Sequence, residues 1–400
     1  MSPFDVVVIG GGPAGASAAL TIARGGLTVA VIEAEVFPRR KVCGEYLSAT
    51  NLALFDELGV GEAFRRKAGP EIRRTAVFCG AARIEAPLST LEGGWGRALG
   101  RDALDTLLLD AAREAGAFVL QPRRAIGLEA ANDRVLVHAA GQKGLRTVEA
   151  RVAIAAHGSW RSGPLPTHLR KRRRAGDMFG FKAHYAEADL PRDLMPLLAF
   201  PGGYGGMVTC DCGRVSLSFC LRRDAMERIR RERPGLPAAE AATAHLLAHC
   251  AGAAGVLRPA RRLGPTLSAG PIRPGFRPAY AEGLFRVGNL AIEAHPVIAE
   301  GISMAIQSGW MLGRALIAEP DLGPIAQRRA ARAYHGSLRR NFALRVIAAS
   351  VAARLCTSAI ARSAALAAIA TRPDLLALGA RVSGKYRHPA ELRGGARRPA

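Results

Sequence analysis

Three glycines, Gly10, Gly12 and Gly15, stand at the spacing that lets a backbone cradle a diphosphate. They follow an apolar run, Asp5-Val-Val-Val-Ile9, and open an alanine-rich stretch through Pro13 and Ala14 to Arg24. A second run, Thr28-Val-Ala-Val-Ile32, ends on Glu33. Gly10 permits the tight turn after a strand, Gly12 lets a pyrophosphate approach the chain, and Gly15 lets a helix pack closely on a sheet. Free amides at the start of that helix favour negative charge. Glu33 can accept hydrogen bonds from ribose hydroxyls, and its charge repels a 2′-phosphate. The expected nucleotide is therefore FAD or NAD and not NADP.

Other chemistry-bearing residues lie further along. Arg40-Lys41-Val42-Cys43-Gly44 and Tyr46 form a loop after the second strand. Arg101 opens an apolar helical pattern at Leu104, Leu107, Leu108 and Ala111. A strand, 283–287, runs into Gly288-Asn289, then Pro296, and a long helix is expected over 300–318 with Gly301 and Ile302 at its start. No metal site is expected. Cys210-Asp-Cys212 has no second ligand pair at zinc spacing. His245 and His249, one helical turn apart, lack the glutamate of a zinc-protease helix.

The elements that must position these residues read as α/β. A Rossmann-type βαβ unit fills 4–33. Helices are expected over 48–58, from 101, over 223–232 and over 237–250. Strands are expected at 117–120, 123–129, 134–140, 145–149 and 152–156. Antiparallel strands are expected at 178–185, 207–209 and 214–219. The implied organisation is a dinucleotide-binding domain (FAD-binding, if FAD is the nucleotide) with a parallel sheet over 1–175, carrying inserted strands at 70–100. A substrate-binding antiparallel sheet follows over 176–270. The first domain resumes over 271–320, a C-terminal helical region spans 321–392, and a disordered tail 393–400. No internal repeat is visible, and only one complete dinucleotide fingerprint is present.

The chain has 400 residues and a net charge of +23. Of 56 basic residues only six are lysine, so the excess is arginine in an Ala- and Gly-rich sequence. The dense run Arg170–Arg174 has no interleaved aromatics to stack on bases, which argues against nucleic acid. A solvated loop, or attraction to an anionic membrane or substrate, accounts for it. Seven cysteines on a chain that opens with a strand point to a reducing, cytoplasmic setting. Residues 344–370 are very apolar, but Arg345, Arg354 and Arg362 cut them into runs too short to span a bilayer. They read as buried helices, or as helices resting on a membrane surface.

Taken together, these motifs resemble the flavoprotein superfamily of geranylgeranyl reductases and aromatic hydroxylases, with the p-hydroxybenzoate-hydroxylase type of fold. Four motifs in matching order carry the resemblance over residues 4–318: the fingerprint; Arg40–Gly44; Gly100-Arg101-Asp102-Ala-Leu104-Asp105; and Leu284–Pro296 with Glu300–Ala305. The resemblance implies FAD as cofactor and NAD(P)H as a transient co-substrate. It also implies Arg101 at the pyrophosphate, and Gly288, Asn289, Pro296, Gly301 and Ile302 near the flavin. Two positions depart from the pattern. Asn289 replaces an Asp, and His157 stands where the family reads Asp.

The resemblance leaves two reactions open: reduction of a carbon–carbon double bond, or hydroxylation of an aromatic ring. A non-catalytic flavin-binding or surface-binding protein is a third reading. The Cys43-Gly44 pair and His157 tilt the expectation to the reductase, with Cys43 or Tyr46 as proton donor. On strand 178–185, Phe179, Phe181 and Tyr185 share one face and Lys182 and His184 the other; either face could line a pocket, and the plain reading is one core face and one solvated face. Few charges occur in 194–209, which points to a small apolar or aromatic substrate.

Overall fold

The computed structural model describes residues 3–88 and 94–380, so the tail 393–400 lies outside the described residues. Val6–Ile9 and Val29–Ile32 are buried along their whole length. Apolar runs of this kind suit a parallel sheet covered on both faces. They lie at the centre of the first sheet, whose order is 280–281, 284–286, 144–155, 4–9, 29–32 and 118–120. Both joins to Phe4–Ile9 are parallel. Helix α1 (Pro13–Arg24) packs against α2 (Arg101–Glu114) and α3 (Gly301–Ile317). The approach of α1 to α3 requires Gly309: a Cβ there would stand 2.1 Å from the Ala14 carbonyl oxygen. The result is a mixed α/β fold with a parallel-centred first sheet, a mostly antiparallel second sheet and C-terminal helices.

The segment 144–155 is one strand, where the sequence suggested two. Its first half pairs antiparallel with 134–141 and its second half parallel with 4–9. The exposed face of the first half disappears where the second enters the sheet interior, and this change of burial imitates a break in the pattern.

The second sheet runs in the order 261–262, 178–186, 215–222, 203–209, 194–200, 74–79 and 82–87. Two corrections follow. Residues 74–87, expected inside the first segment of the flavin-binding domain, pair with Leu194–Phe200 and belong to this sheet. Leu194–Phe200 itself was not anticipated as a strand. It contains Pro196 and lacks β-branched residues, so local propensity is silent and the pairing on both sides decides.

One face of this sheet, with Phe181, Ala183, Tyr185, Leu217 and Phe219, packs on helices Arg223–Glu232 and Ala238–His249 as a second core. The opposite face is not solvated as expected. Lys182 is 0% and His184 1% exposed, because this face turns toward the first sheet. Beyond α3 come α4 (Pro324–Thr357), α5 (Ala359–Thr371) and α6 (Asp374–Ala380). Among the described residues no single helix is long and apolar enough to cross a membrane.

Candidate functional site

A cavity of about 620 Å³ lies between the two sheets, with one end at the glycine fingerprint and the other under α4–α6. The turn after the first strand is held by Gly10, at φ +114°, whose missing Cβ would stand 2.7 Å from the Ala156 carbonyl oxygen. Gly15 does not line the cavity. A Cβ there would meet the Gly10 carbonyl oxygen at 1.9 Å, so it serves by letting helix and loop touch. Gly12 has an ordinary φ of −70°, and a Cβ there would clash with nothing. The nearest groups to a Cβ at Gly12 are the guanidinium nitrogens of Arg39, 3.7 Å away, and Arg101, 4.0 Å away.

Those two arginines are held by one carboxylate. Arg101 Nε and Nη2 bond Asp105 at 2.6 and 2.8 Å, one turn along α2. Arg39 Nη1 bonds the same carboxylate at 2.7 Å. Asp105 is 0% exposed. Lys41 adds a third cation. Burial, and then the neighbouring Arg39, Arg161 and Arg101 charges, push its amine down to about 8. A buried cluster with more positive than negative charge is incomplete without an anion, and a diphosphate is one. Arg39 Nε is also buried with no hydrogen-bond partner among the described residues.

The acid at the end of the second strand lines the cavity. Glu33 is buried and accepts the Gly11 and Glu35 backbone amides, each at 2.7 Å. Across the cavity, Gly288, Asn289, Pro296, Gly301 and Ile302 all line the wall. Asn289 Nδ2 donates to Glu293 at 3.3 Å. Glu293, 2% exposed, also accepts Ser159 Oγ and Arg277 Nη2, each at 2.8 Å. Glu293 thus places a carboxylate beside Asn289 on the cavity wall.

Arg40, expected at the cofactor, is not there. It bonds the Leu263 carbonyl oxygen at 3.1 Å and His184 Nδ1 at 3.3 Å, on the second sheet. Successive side chains of this loop diverge, so its neighbours Arg39 and Lys41 reach the cavity instead. The run Pro38-Arg-Arg-Lys41 signalled cations but not which of them would point inward.

Cys43, Gly44 and Tyr46 line the cavity. Glu45, between them, adopts φ +64° and is 1% exposed. Its carboxylate pairs with the Lys182 ammonium, accepts His184 Nε2 at 2.7 Å and accepts the Arg101 amide at 3.0 Å. Burial opposes ionisation, yet the Lys182 charge and the His184 bond hold Glu45 well below the usual carboxylate range. Lys182 Nζ also donates to the Cys43 carbonyl oxygen at 3.0 Å. Arg40 can only donate to His184 Nδ1, so His184 carries its proton on Nε2 and is neutral. Glu45, His184 and Cys210 lie close enough to suggest a metal site, but Lys182 already occupies the carboxylate.

His157, at the position of the family Asp, lines the cavity without adding charge. Its Nδ1 faces the Gly158 carbonyl oxygen at 3.1 Å, so Nδ1 donates and Nε2 accepts Thr167 Oγ1 at 2.8 Å. Burial, then the charge of the stacked His168, push His157 down to about 4.

The far half of the cavity differs in kind. Val77, Cys79, Met195, Leu197, Ala199, Tyr204 and Met207 line it from the second sheet, with Leu355, Cys356, Leu366 and Ile369 from the C-terminal helices. Arg362 is the one charged side chain lining this end among the described residues. Tyr204 is fully buried, its hydroxyl 3.3 Å from His295 Nδ1, and burial keeps it protonated.

A family model described as FAD binding domain matches residues 3–321. Menaquinone reductase of Mycobacterium tuberculosis is 31% identical over 176 residues, which cover 44% of this chain and only 42% of that enzyme's length. Digeranylgeranylglycerophospholipid reductase 2 of Methanopyrus kandleri is 26% identical, covering 78% of this chain and 76% of its own. The fold is similar to that of p-nitrophenol 4-monooxygenase from Pseudomonas putida, with a TM-score of 0.76 at 16% identity, over 99% of this chain and 100% of that one.

Proposed function

Given that this chain belongs to the FAD-binding-domain family and is an FAD-dependent oxidoreductase, we propose that it reduces a carbon–carbon double bond of an apolar, prenyl-like substrate, with NAD(P)H as electron donor. One observation carries this reading. The half of the cavity away from the phosphate cradle is walled mainly by aliphatic and sulfur side chains, with the buried Tyr204 among them, and runs on beneath the C-terminal helices. A compact phenol is best held by several polar anchors, and Arg362 is the one charged side chain lining that end among the described residues. An elongated hydrocarbon needs none. The two reductases similar to this chain act on a menaquinone and on a geranylgeranyl lipid by name, which supports the same substrate class.

Arg39, Arg101 and the backbone at Gly12 would hold the phosphates, and Glu33, Asn289 and Glu293 are the groups on the lining that could meet the hydroxyls. When bound, FAD supplies two-electron hydride chemistry. The chain must then protonate the second alkene carbon, and Cys43 is the preferred donor. Tyr46 lines the cavity too, but its hydroxyl lies against Gly96, where a Cβ would come within 2.1 Å of it. Lys182 and Glu45 keep the Cys43–Tyr46 loop pinned to the second sheet and water out of it.

The test is anaerobic. The NADH- or NADPH-reduced protein is mixed with a polyprenylated quinone or a geranylgeranyl lipid, and saturated product is measured by mass spectrometry. The reading requires product without oxygen, and Cys43→Ala must lower it at least ~100-fold while leaving flavin reduction intact. Product that forms only with oxygen, and carries a new hydroxyl on an aromatic ring, makes the protein a monooxygenase instead.

A further inference from the structure

The outward face of α4 is built against the usual rule for a helix on a protein surface. Its inward face buries Arg345, 2% exposed and bonded to Gln307, with Phe342, Ala349 and Ala353. Its outward face carries Leu344, Ile347 and Val351, all exposed. Their spacing of three and four residues places them on one stripe. Ile347 is 61% exposed, and Ile360, just past the bend into α5, is 86% exposed. The two helices meet at 103°, so the stripe ends at an elbow. Arg340 and Arg354, also exposed, bracket the stripe at helical spacing.

The charge around this face is of one sign. Between Asp321 and Asp374 there is no acidic residue and there are nine arginines. The same helices line the apolar end of the cavity through Leu355, Cys356, Leu366 and Ile369. An aliphatic stripe flanked by arginines suits a surface that is oily within and anionic at its rim. A second copy of this chain would set arginine against arginine. Nucleic acid would meet no exposed aromatic ring on the stripe.

We propose that the outward face of the α4–α5 elbow is a docking surface for an anionic lipid bilayer. Leu344, Ile347, Val351 and Ile360 enter the interface, and Arg340 and Arg354 meet lipid phosphates. The surface stands whatever reaction the cavity performs.

The full-length flavoprotein is sedimented with vesicles of phosphatidylcholine alone or mixed with phosphatidylglycerol. Binding to the mixed vesicles, weakened by salt, is expected. The variant Ile347→Gln/Val351→Gln/Ile360→Gln should bind about tenfold or more weakly, with flavin absorbance and melting temperature unchanged. Arg340→Gln/Arg354→Gln should lose the preference for phosphatidylglycerol. Absence of binding to both vesicles overturns the proposal, as does undiminished binding by the triple glutamine variant. Binding that survives in that variant but disappears on deleting residues 381–400 assigns the effect to the basic tail and equally overturns it. So does a doubling of mass in lipid-free buffer that the triple variant reverses, which makes the face a contact between copies.

Discussion

Asp105 and Glu45 are both buried carboxylates beside the cavity, and their surroundings set them to different work. Asp105 has two guanidiniums, Arg101 and Arg39, with Lys41 close by, so its cluster keeps a surplus of positive charge. Glu45 touches one ammonium and a neutral imidazole, so its direct pairings sum to zero, and the Arg40 guanidinium reaches it only through His184. On the proposed reading the first serves a ligand: it holds cations in place and leaves charge for a phosphate. The second is a clamp. It ties the loop over the cavity to the second sheet and leaves nothing for a ligand. Buried ionic clusters at a cavity are therefore told apart by their net charge once hydrogen-bond roles are assigned.

The largest expected effect tests the clamp. Lys182→Met strands the Glu45 charge in the interior and should cost about 3–5 kcal/mol in urea unfolding. The double variant Lys182→Met/Glu45→Gln should recover most of that loss. If Lys182→Met is as stable as the parent, Glu45 is no clamp.

Asp105→Asn tests the ligand site. The two arginines lose their tether, and FAD affinity should fall about tenfold to a hundredfold by titration calorimetry, with melting changed far less. A reversed ranking, with stability lost and affinity kept, would erase the distinction between the two carboxylates.

A buffer series refines it further. Stability comes first, through His157. It stays neutral down to about pH 4, whereas the unfolded chain protonates near 6.5. Stability should therefore drop as pH falls from 6.5 toward 4, by about 1–2 kcal/mol at pH 5, and His157→Gln should remove that share. Affinity responds on the alkaline side. Lys41 titrates at about 8 without an anion, and a diphosphate beside it favours the ammonium form. Binding then takes up a proton above pH 8, so FAD affinity holds below that pH and weakens by at most about tenfold per pH unit above it. A flat profile would show that Lys41 faces no phosphate. Lys41→Arg should flatten it in a protein that still binds.

Much of the cofactor end was legible because its signals are local. The fingerprint depends on backbone conformation within six residues, and the structure shows the steric reason at Gly10 and Gly15. Arg101 and Asp105 sit one turn apart, so a single helix brings them together. The long helix expected over 300–318 is Gly301–Ile317. Less local features were misjudged. Arg40 was selected and Arg39 missed, because loop side-chain direction depends on what each one meets. The Lys182 and His184 face was read as solvated, because alternation reports two faces but not what covers them.

The order of strands, glycines and helix-start motifs along the chain was enough to determine a nucleotide-binding α/β protein and its flavin-family membership. These features arise from contacts between residues near in sequence, where composition and spacing dictate geometry. The pairing of Glu45 with His184, 139 residues away, was decided only when two sheets closed on each other. So was the apolar far wall of the cavity, assembled from residues 77 to 369. Spacing along a chain carries no record of which distant face will bury a charge, because burial is a property of the packed molecule.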